Sequence, residues 1–562
     1  MLNMNIKKII VLISVVYLST TLIILKLNPF IFFATNDDGI FVTILESKLN
    51  FIGQNNLIYT SILYGYFTKF LYNLIPYFQW HGLILLAFVL ISFLRLTYEI
   101  LKFKTKKIFI FAISLILYVQ YIYFIFTPNF SSAALYVGLT ACSLLYISIF
   151  LKNKIYSLGF IYLFLSYIIR PDGFAFILYL ALPGVLYLFY DNFRNQHYKN
   201  LIDLRWLVIL LAYLIDQAYQ KYLVINSSLW NEYYKFINIF HVVDTNPSFL
   251  IMHQNIAAFK IPGLKWTNVE ATLLHQIAYL DSSVFNSYNL GLAVESVFDH
   301  LGIRGMINAD FLSTIMRIWE YMSPIDYLFY ASALVFTFLL IKLRKSKILL
   351  ILSGLHIFLI LYFLGAVWRL PLRILLPIVF FILILLLIIT IIFIVNNTSK
   401  YIILLVSITF FSLFQMNQYG LSDQIQKMHV KYQDYKTLDS AYKGLGNFAI
   451  FIGQIKYLDE NFTNAYFRNQ DLNTSHISSG WHNFSPYWYA NIKQFGINSN
   501  PLLSLAELQN TYWISDLYIS EVLDMYMNDR NIKRQIKCEI KKIGYKNGSI
   551  FSYSTKEINC LD

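Results

Sequence analysis

The sequence predicts an α-helical polytopic membrane protein with about eleven transmembrane helices. Its N-terminus is expected inside and its C-terminus outside, and the C-terminus is expected to carry a small extracytoplasmic α/β domain. Three observations carry this expectation. Only 13% of the 562 residues are charged and 57% are hydrophobic, where soluble domains carry about 25% charged residues; mean hydropathy is +0.55. Apolar runs of membrane length recur from residue 9 to residue 416. Finally, Lys and Arg gather in alternate loops between those runs, the asymmetry that orients membrane proteins.

The runs lie near 9–27, 77–97, 108–126, 131–151, 155–170, 173–190, 206–225, 326–342, 348–367, 374–395 and 401–416. The first follows MLNMNIKK. No small-x-small cleavage site comes after it and many further runs do, so it reads as an uncleaved first helix rather than a signal peptide. One set of short loops holds Lys7 and Lys8, the Lys102–Lys107 cluster, Lys152 and Lys154, Arg194, Lys199 and Arg205, the Lys342–Lys347 cluster, and Lys400. The loops on the other side before residue 226 and between 367 and 374 hold only Lys48, Lys69, Arg170, Arg369 and Arg373. The basic side is therefore cytoplasmic. The net charge of +13 is explained by these loops and does not point to nucleic acid. The seventh run is interrupted early by Asp216, but removing it would move two basic loops outside, so it is retained.

This topology gives a transmembrane domain over 1–416, with outer loops at 28–76 and 226–325, and an extracytoplasmic domain over 417–562. In that last part, strand-like runs (NFAIFIG, GSIFSYS) mix with amphipathic stretches. Within the first loop, 57–76 (LIYTSILYGYFTKFLYNLIP) places apolar pairs at helical spacing and ends at Pro76, as in a helix lying in the outer membrane interface. The cytoplasmic loops are short and no GxxxxGK[ST] phosphate loop is present, so no domain is available there to consume a nucleotide. HExxH, CxxC and GxSxG are also absent, which removes support for zinc-peptidase, redox and esterase readings. Cys142 lies in an apolar run; Cys538 and Cys560 could form one bond if their region is exported.

Just past the first run stands FATNDDGIF, with Asp37 and Asp38 adjacent. Asn36 or Asp37 can cap a short helix over the following residues. Capping accounts for one acid and leaves the other to face a cavity, because neighbouring side chains on a helix point about 100° apart. Asp38 is the preferred chemical residue, since Asp37 is better placed to cap; Asp37 is also the candidate ligand of a divalent metal (Mg or Mn). The candidate cations are Arg170 in IIRPDGF, and Arg369 and Arg373 in WRLPLRILLP, all on the side where Lys and Arg are otherwise scarce. Arginine suits phosphate because its planar fork binds two oxygens and stays charged; snorkelling headgroup anchors are the alternative. Asp172 is a further acid or the partner of Arg170.

Weaker candidates remain. His81 reads as an interface residue. Asp216 is costly in lipid and therefore suspect. Glu295, Asp299 and His300 read as a solvated helix face. The tail segment HISSGWHNFSPYWYANI reads as an aromatic core or as a sugar-stacking surface.

An acidic pair in the first outer loop, the interfacial helix after it, many spans and an outward C-terminal domain together resemble the GT-C-fold membrane glycosyltransferases. The resemblance implies transfer of a sugar from a polyprenyl-phosphate carrier to a glycan, lipid or protein acceptor on the outer face of the cell membrane, as in a bacterial inner membrane. It also implies an Asp as general base, arginines on the lipid phosphate and inversion at the anomeric carbon. No WWDYG motif is present, which favours a monosaccharide donor. Two other classes compete: an O-antigen-type glycan polymerase or ligase, and a lipid or solute transporter or flippase. Against the transporter, no internal repeat is seen and the spans are nearly free of charge.

Overall fold

The computed structural model describes residues 6–28, 31–34, 36–46, 51–102, 107–151, 156–194, 205–245, most of 264–295, 372–394 and separate pieces of the C-terminal region. Most of them are helical, and the architecture is that of a helical membrane protein. Among the described residues, four helical stretches are long and apolar enough to cross a membrane: Lys8–Leu27, Trp80–Leu101, Phe130–Ser148 and Leu207–Asn226. Shorter apolar stretches are Ile113–Phe126, Leu158–Ile169, Pro171–Leu182 and Arg373–Ile388. The expected spans at 326–342 and 401–416, and nearly all of 348–367, lie outside the described residues.

In chain order the long helices are α1 (Ile6–Leu27), α4 (Trp80–Leu101), α5 (Lys107–Phe126), α6 (Phe130–Leu151), α7 (Tyr156–Ile169), α8 (Pro171–Arg194), α9 (Arg205–Asn226) and α12 (Leu372–Ile394). Between α1 and α4 lie α2 (Asn36–Glu46) and α3 (Ile62–Leu74), while α10 (Ser228–Thr245) and α11 (Asn268–His275) follow α9. The helix α9 runs unbroken through Asp216.

The centre of the bundle is α6. Of its span 94% is buried inside the protein, against 17% for α1 and 22% for α9, whose remaining apolar surface is left for lipid. Lipid tails are as apolar as Leu, so helices in a membrane associate through close packing and polar contacts rather than hydrophobic burial. The small residues of α6 serve this. Ser166 Oγ of α7 donates to Ala134 O at 2.8 Å. A Cβ on Gly138 would stand 2.6 Å from Ile177 of α8 and 2.8 Å from Ser166 Oγ. The helices alternate in direction: Gly159 of α7 meets Ala141 and Ser166 meets Ala134, so α7 runs against α6, whereas Gly173 and Ile177 of α8 follow Ala134 and Gly138 in the same sense.

One end of the bundle gathers the C-terminal ends of α1, α5 and α7 and the N-terminal ends of α4, α6, α8 and α12. Backbone bonds tie them: Ala34 N–H to Pro128 O at 2.9 Å, and Ser61 N–H to Ile168 O at 3.1 Å. Residues 465–467 of the tail lie across this end. Ala465 N–H donates to Ile31 O at 2.7 Å, Tyr466 OH to Ile125 O at 3.0 Å, and Phe467 bridges Phe78.

The first-loop helix begins at Ile62, later than the apolar pairing suggested, and is N-capped by Ser61. Its apolar side is turned outward, with Tyr66, Phe67, Phe70 and Leu74 exposed, while Tyr64, Gly65, Thr68 and Tyr72 pack inward.

Five strands, β1 (Phe448–Phe451), β2 (His476–Ser478), β3 (Thr511–Ser515), β4 (Glu539–Gly544) and β5 (Ser552–Glu557), form one sheet in the order β2-β1-β3-β5-β4. The pairs of β1 are parallel and those of β5 antiparallel. The helix α14 (Leu517–Asp529), which follows α13 (Pro486–Gln494), rests on the second loop: Tyr526 OH donates to Asp281 at 2.9 Å and Arg530 pairs with Glu270 at 3.2 Å. In the aromatic tail segment, Trp488, Tyr487 and Phe484 are buried core, and Phe484 meets Phe236 of α10 edge-on. Glu295 is exposed; Asp299, His300, Cys538 and Cys560 lie outside the described residues.

Gly82 tests the seat of the tail. A Cβ there would stand 1.7 Å from Ala465 O, and one on Gly65 2.0 Å from Asn55 O, both backbone atoms that no rotamer change can move. Gly82→Ala and Gly65→Ala are expected to destabilise the protein in detergent by about 1–3 kcal/mol. Gly291→Ala, which would meet nothing within 4 Å, is expected to leave the thermal midpoint unchanged or higher. Equal midpoints for all three would refute the packing described.

Candidate functional site

The two adjacent acids of FATNDDGIF separate completely in the structure. The helix α2 starts at Asn36, so both carboxylates fall in its first turn, where the helix dipole favours negative charge. From there they point in different directions.

Asp38 is fully buried. Its Oδ1 accepts from Phe130 N–H at 2.9 Å and from His81 Nε2 at 3.0 Å. Phe130 is the first residue of α6, whose leading amides have no partner within the helix. Asp38 satisfies one of them, and Asn129 Oδ1 accepts Ser132 N–H at 2.7 Å as the local cap. The acid in the helix α2 therefore caps a different helix, α6. The other ring nitrogen of His81, Nδ1, lies 2.8 Å from Tyr64 OH. Burial pushes the Tyr64 phenol well above its ordinary range, and the nearby Tyr72 and Asp38 add to this. Tyr64 thus keeps its proton, and both ring nitrogens of His81 have a hydrogen-bond partner. Phe33, Phe41 and Tyr64 surround the imidazole, and His81 itself is 0% exposed. Its place inside the bundle end, not at the lipid interface expected from sequence, follows from this pairing: a buried imidazole needs partners for both nitrogens.

Asp37 is partly exposed. Its Oδ2 stands 4.0 Å from Nη2 of Arg373, in the first turn of α12. That turn is pinned to α6 by Ser132 Oγ, which donates to Arg373 O at 2.7 Å. Arg170 sits at the junction of α7 and α8. Its guanidinium lies 4.8 Å from the Phe130 ring centroid and 5.9 Å from that of Tyr59, and Nη1 donates to Ser131 Oγ. Burial pulls the Arg170 guanidinium below its usual value; Asp172 opposes this, Arg373 adds to it as a like charge, and Asp37 again opposes it. Asp37, Arg170, Asp172 and Arg373 thus share one electrostatic neighbourhood, although three separate parts of the chain supply them. Arg369 lies outside the described residues.

Two arginines beside a partly exposed carboxylate, packed against Tyr59, Phe130, Ser131 and Ser132, can hold an anion with charge-assisted bonds. A carboxylate at the same place can accept a proton from a hydroxyl. No group of three or more His, Cys, Asp or Glu side chains among the described residues is placed to hold a metal ion. Nothing in the sequence pointed to Tyr64, Tyr59 or Ser131, since their roles depend on contacts with distant segments.

Asp216 is also buried, and it is engaged elsewhere. Ser61 Oγ and Ile62 N–H donate to its Oδ1 at 3.0 and 2.9 Å, and Tyr167 OH donates to Oδ2. The acid in α9 therefore holds the start of α3, which explains its presence in an otherwise apolar helix.

The Asp38–His81 pair should behave as a coupled unit. Asp38→Leu and His81→Leu are each expected to cost about 3–5 kcal/mol in detergent unfolding, because each leaves a buried polar partner without its bond. The double variant is expected to lose less than the sum of the two; strictly additive losses would show that the pair is not coupled. No protein-family model, curated protein or solved structure matches the chain.

Proposed function

We propose that this protein is a membrane glycosyltransferase that moves a monosaccharide from a polyprenyl-phosphate carrier to a glycan, lipid or protein acceptor on the outer face of the cell membrane. The observation that carries the reading is the meeting of Asp37 with Arg373 at 4.0 Å, with Arg170 close enough to feel both charges. A first-loop acid and two arginines from distant loops come together at one end of the bundle.

In this reading that end faces outward, with the N-terminus inside, eleven spans, and the sheet of the C-terminal region in an outer α/β domain. Contacts between the tail and both outer loops support it, because segments expected on the same side of the membrane do touch.

The chemistry follows from the charges. An acceptor hydroxyl attacks the anomeric carbon, the bond from that carbon to the phosphate oxygen breaks, and the phosphate leaves with the electron pair. The hydroxyl proton passes to a carboxylate. Arg373 and Arg170 balance the charge that develops on the leaving phosphate. We assign the proton to Asp37, because Asp38 is buried and engaged with His81 and α6, and its role is to position. This reverses the preference drawn from sequence, which assumed that Asp37 was the cap. If a divalent metal serves the reaction, Asp37 is the residue that would hold it.

The test is turnover by purified protein in nanodiscs with short-chain polyprenyl-phosphate monosaccharides, a format without compartments in which a transporter shows no product. Asp37→Asn and Arg373→Gln are each expected to lower turnover by about a hundredfold or more. Product formation at the wild-type rate in both variants would sink the reading.

A further inference from the structure

The contact between Asp37 and Arg373 is loose. Charge-assisted N–H···O bonds are about 2.7–2.9 Å long, whereas this pair stands at 4.0 Å, from Asp37 Oδ2 to Arg373 Nη2. The Nε of Arg373 is buried and has no hydrogen-bond partner among the described residues. Such an unmade bond is costly, and a single carboxylate oxygen at Nη2 does not relieve it. Arg170, a second and like charge whose Nη1 is held by Ser131, lies within electrostatic reach of Arg373. The arginine fork is therefore half used, with its buried Nε still to be satisfied.

We propose that Asp37 and the phosphate of a lipid phosphate ester, diester donor or monoester product, compete for Arg373. The ion pair is an internal occupant of the phosphate site, and the arriving phosphate displaces it by engaging Nε and Nη together, as its several oxygens allow. Displacement frees the Asp37 carboxylate from its cation at the moment the donor is seated. Base and donor site are thereby coupled, and the donor binds before the acceptor. The inference rests on the proposed function for its donor; its test does not require turnover.

The probe is farnesyl phosphate, titrated against the full-length protein in nanodiscs, with farnesol and inorganic phosphate as comparison ligands. Asp37→Asn is expected to tighten farnesyl phosphate binding about two- to fivefold, the range that removal of one partly exposed ion pair sets. Arg373→Gln is expected to weaken it about tenfold. Adding Asp37→Asn to Arg373→Gln is expected to bring no gain, because the competitor has lost its target. The same order of affinities with inorganic phosphate identifies the headgroup alone as the ligand; restriction to farnesyl phosphate identifies the lipid phosphate.

Unchanged or weaker binding by Asp37→Asn overturns the proposal. So does wild-type binding by Arg373→Gln, a result that needs no Asp37 variant to fold. Sugar transfer by the wild type together with either of those results overturns the competition and leaves the proposed function standing. The expected affinities without transfer from any sugar donor overturn the function and leave the competition standing.

Discussion

A single buried carboxylate, Asp38, ties three helices together at one end of the bundle. It sits in the first turn of α2, takes the first amide of α6 and pairs with His81 in the first turn of α4. In the low dielectric of a bundle interior an unpaired carboxylate is prohibitive, and one bonded on every side is rigid. The position of the rest of the end follows from that. With α2 fixed in rotation by Asp38, the neighbouring Asp37 must point about 100° away, toward the start of α12 and the junction of α7 and α8. Ser132, two residues past Phe130, holds the start of α12, and Ser131 holds Arg170. The first turn of α6 is thus the platform on which both arginines and the acid pair are set.

Asp216 plays a parallel part elsewhere in the bundle. It gathers the start of α3, the hydroxyl of Tyr167 and its own helix α9. In both cases a carboxylate within or beside a membrane helix serves a backbone amide of another segment. Such bonds do in this bundle what hydrophobic burial does in water, since helices in lipid gain little from hiding apolar surface. Glycines do the complementary work, allowing backbone to approach backbone at Gly82 and Gly65.

Much of the fold was legible because its causes are local. Each described membrane helix overlaps an apolar run, and β1 falls within NFAIFIG while β5 begins inside GSIFSYS. Membrane length and charge asymmetry are properties of consecutive residues. The helix α3 was legible as amphipathic, although its start was not, because the capping Ser61 and its partner Asp216 are far apart in sequence. The site was half legible. Asp37, Asp38, Arg170 and Arg373 stood out as charges on a side of the chain with few of them. Their division was illegible: capping rules place an acid on its own helix, whereas Asp38 caps another. His81 gave no signal, since a histidine at a helix end looks the same whether it faces lipid or a buried acid.

The sequence alone determined that this is a helical membrane protein, which way its basic loops divide, and which few charges are candidates for chemistry. Those conclusions need only composition and order along the chain. Tertiary structure alone decided which acid is buried and which meets an arginine, what Asp216 is for, and that His81 and Tyr64 belong to the site. The physical reason is that a hydrogen bond or ion pair between distant segments depends on how the helices are rotated and how deeply each group is withdrawn from water. Neither quantity is a property of any single stretch of residues.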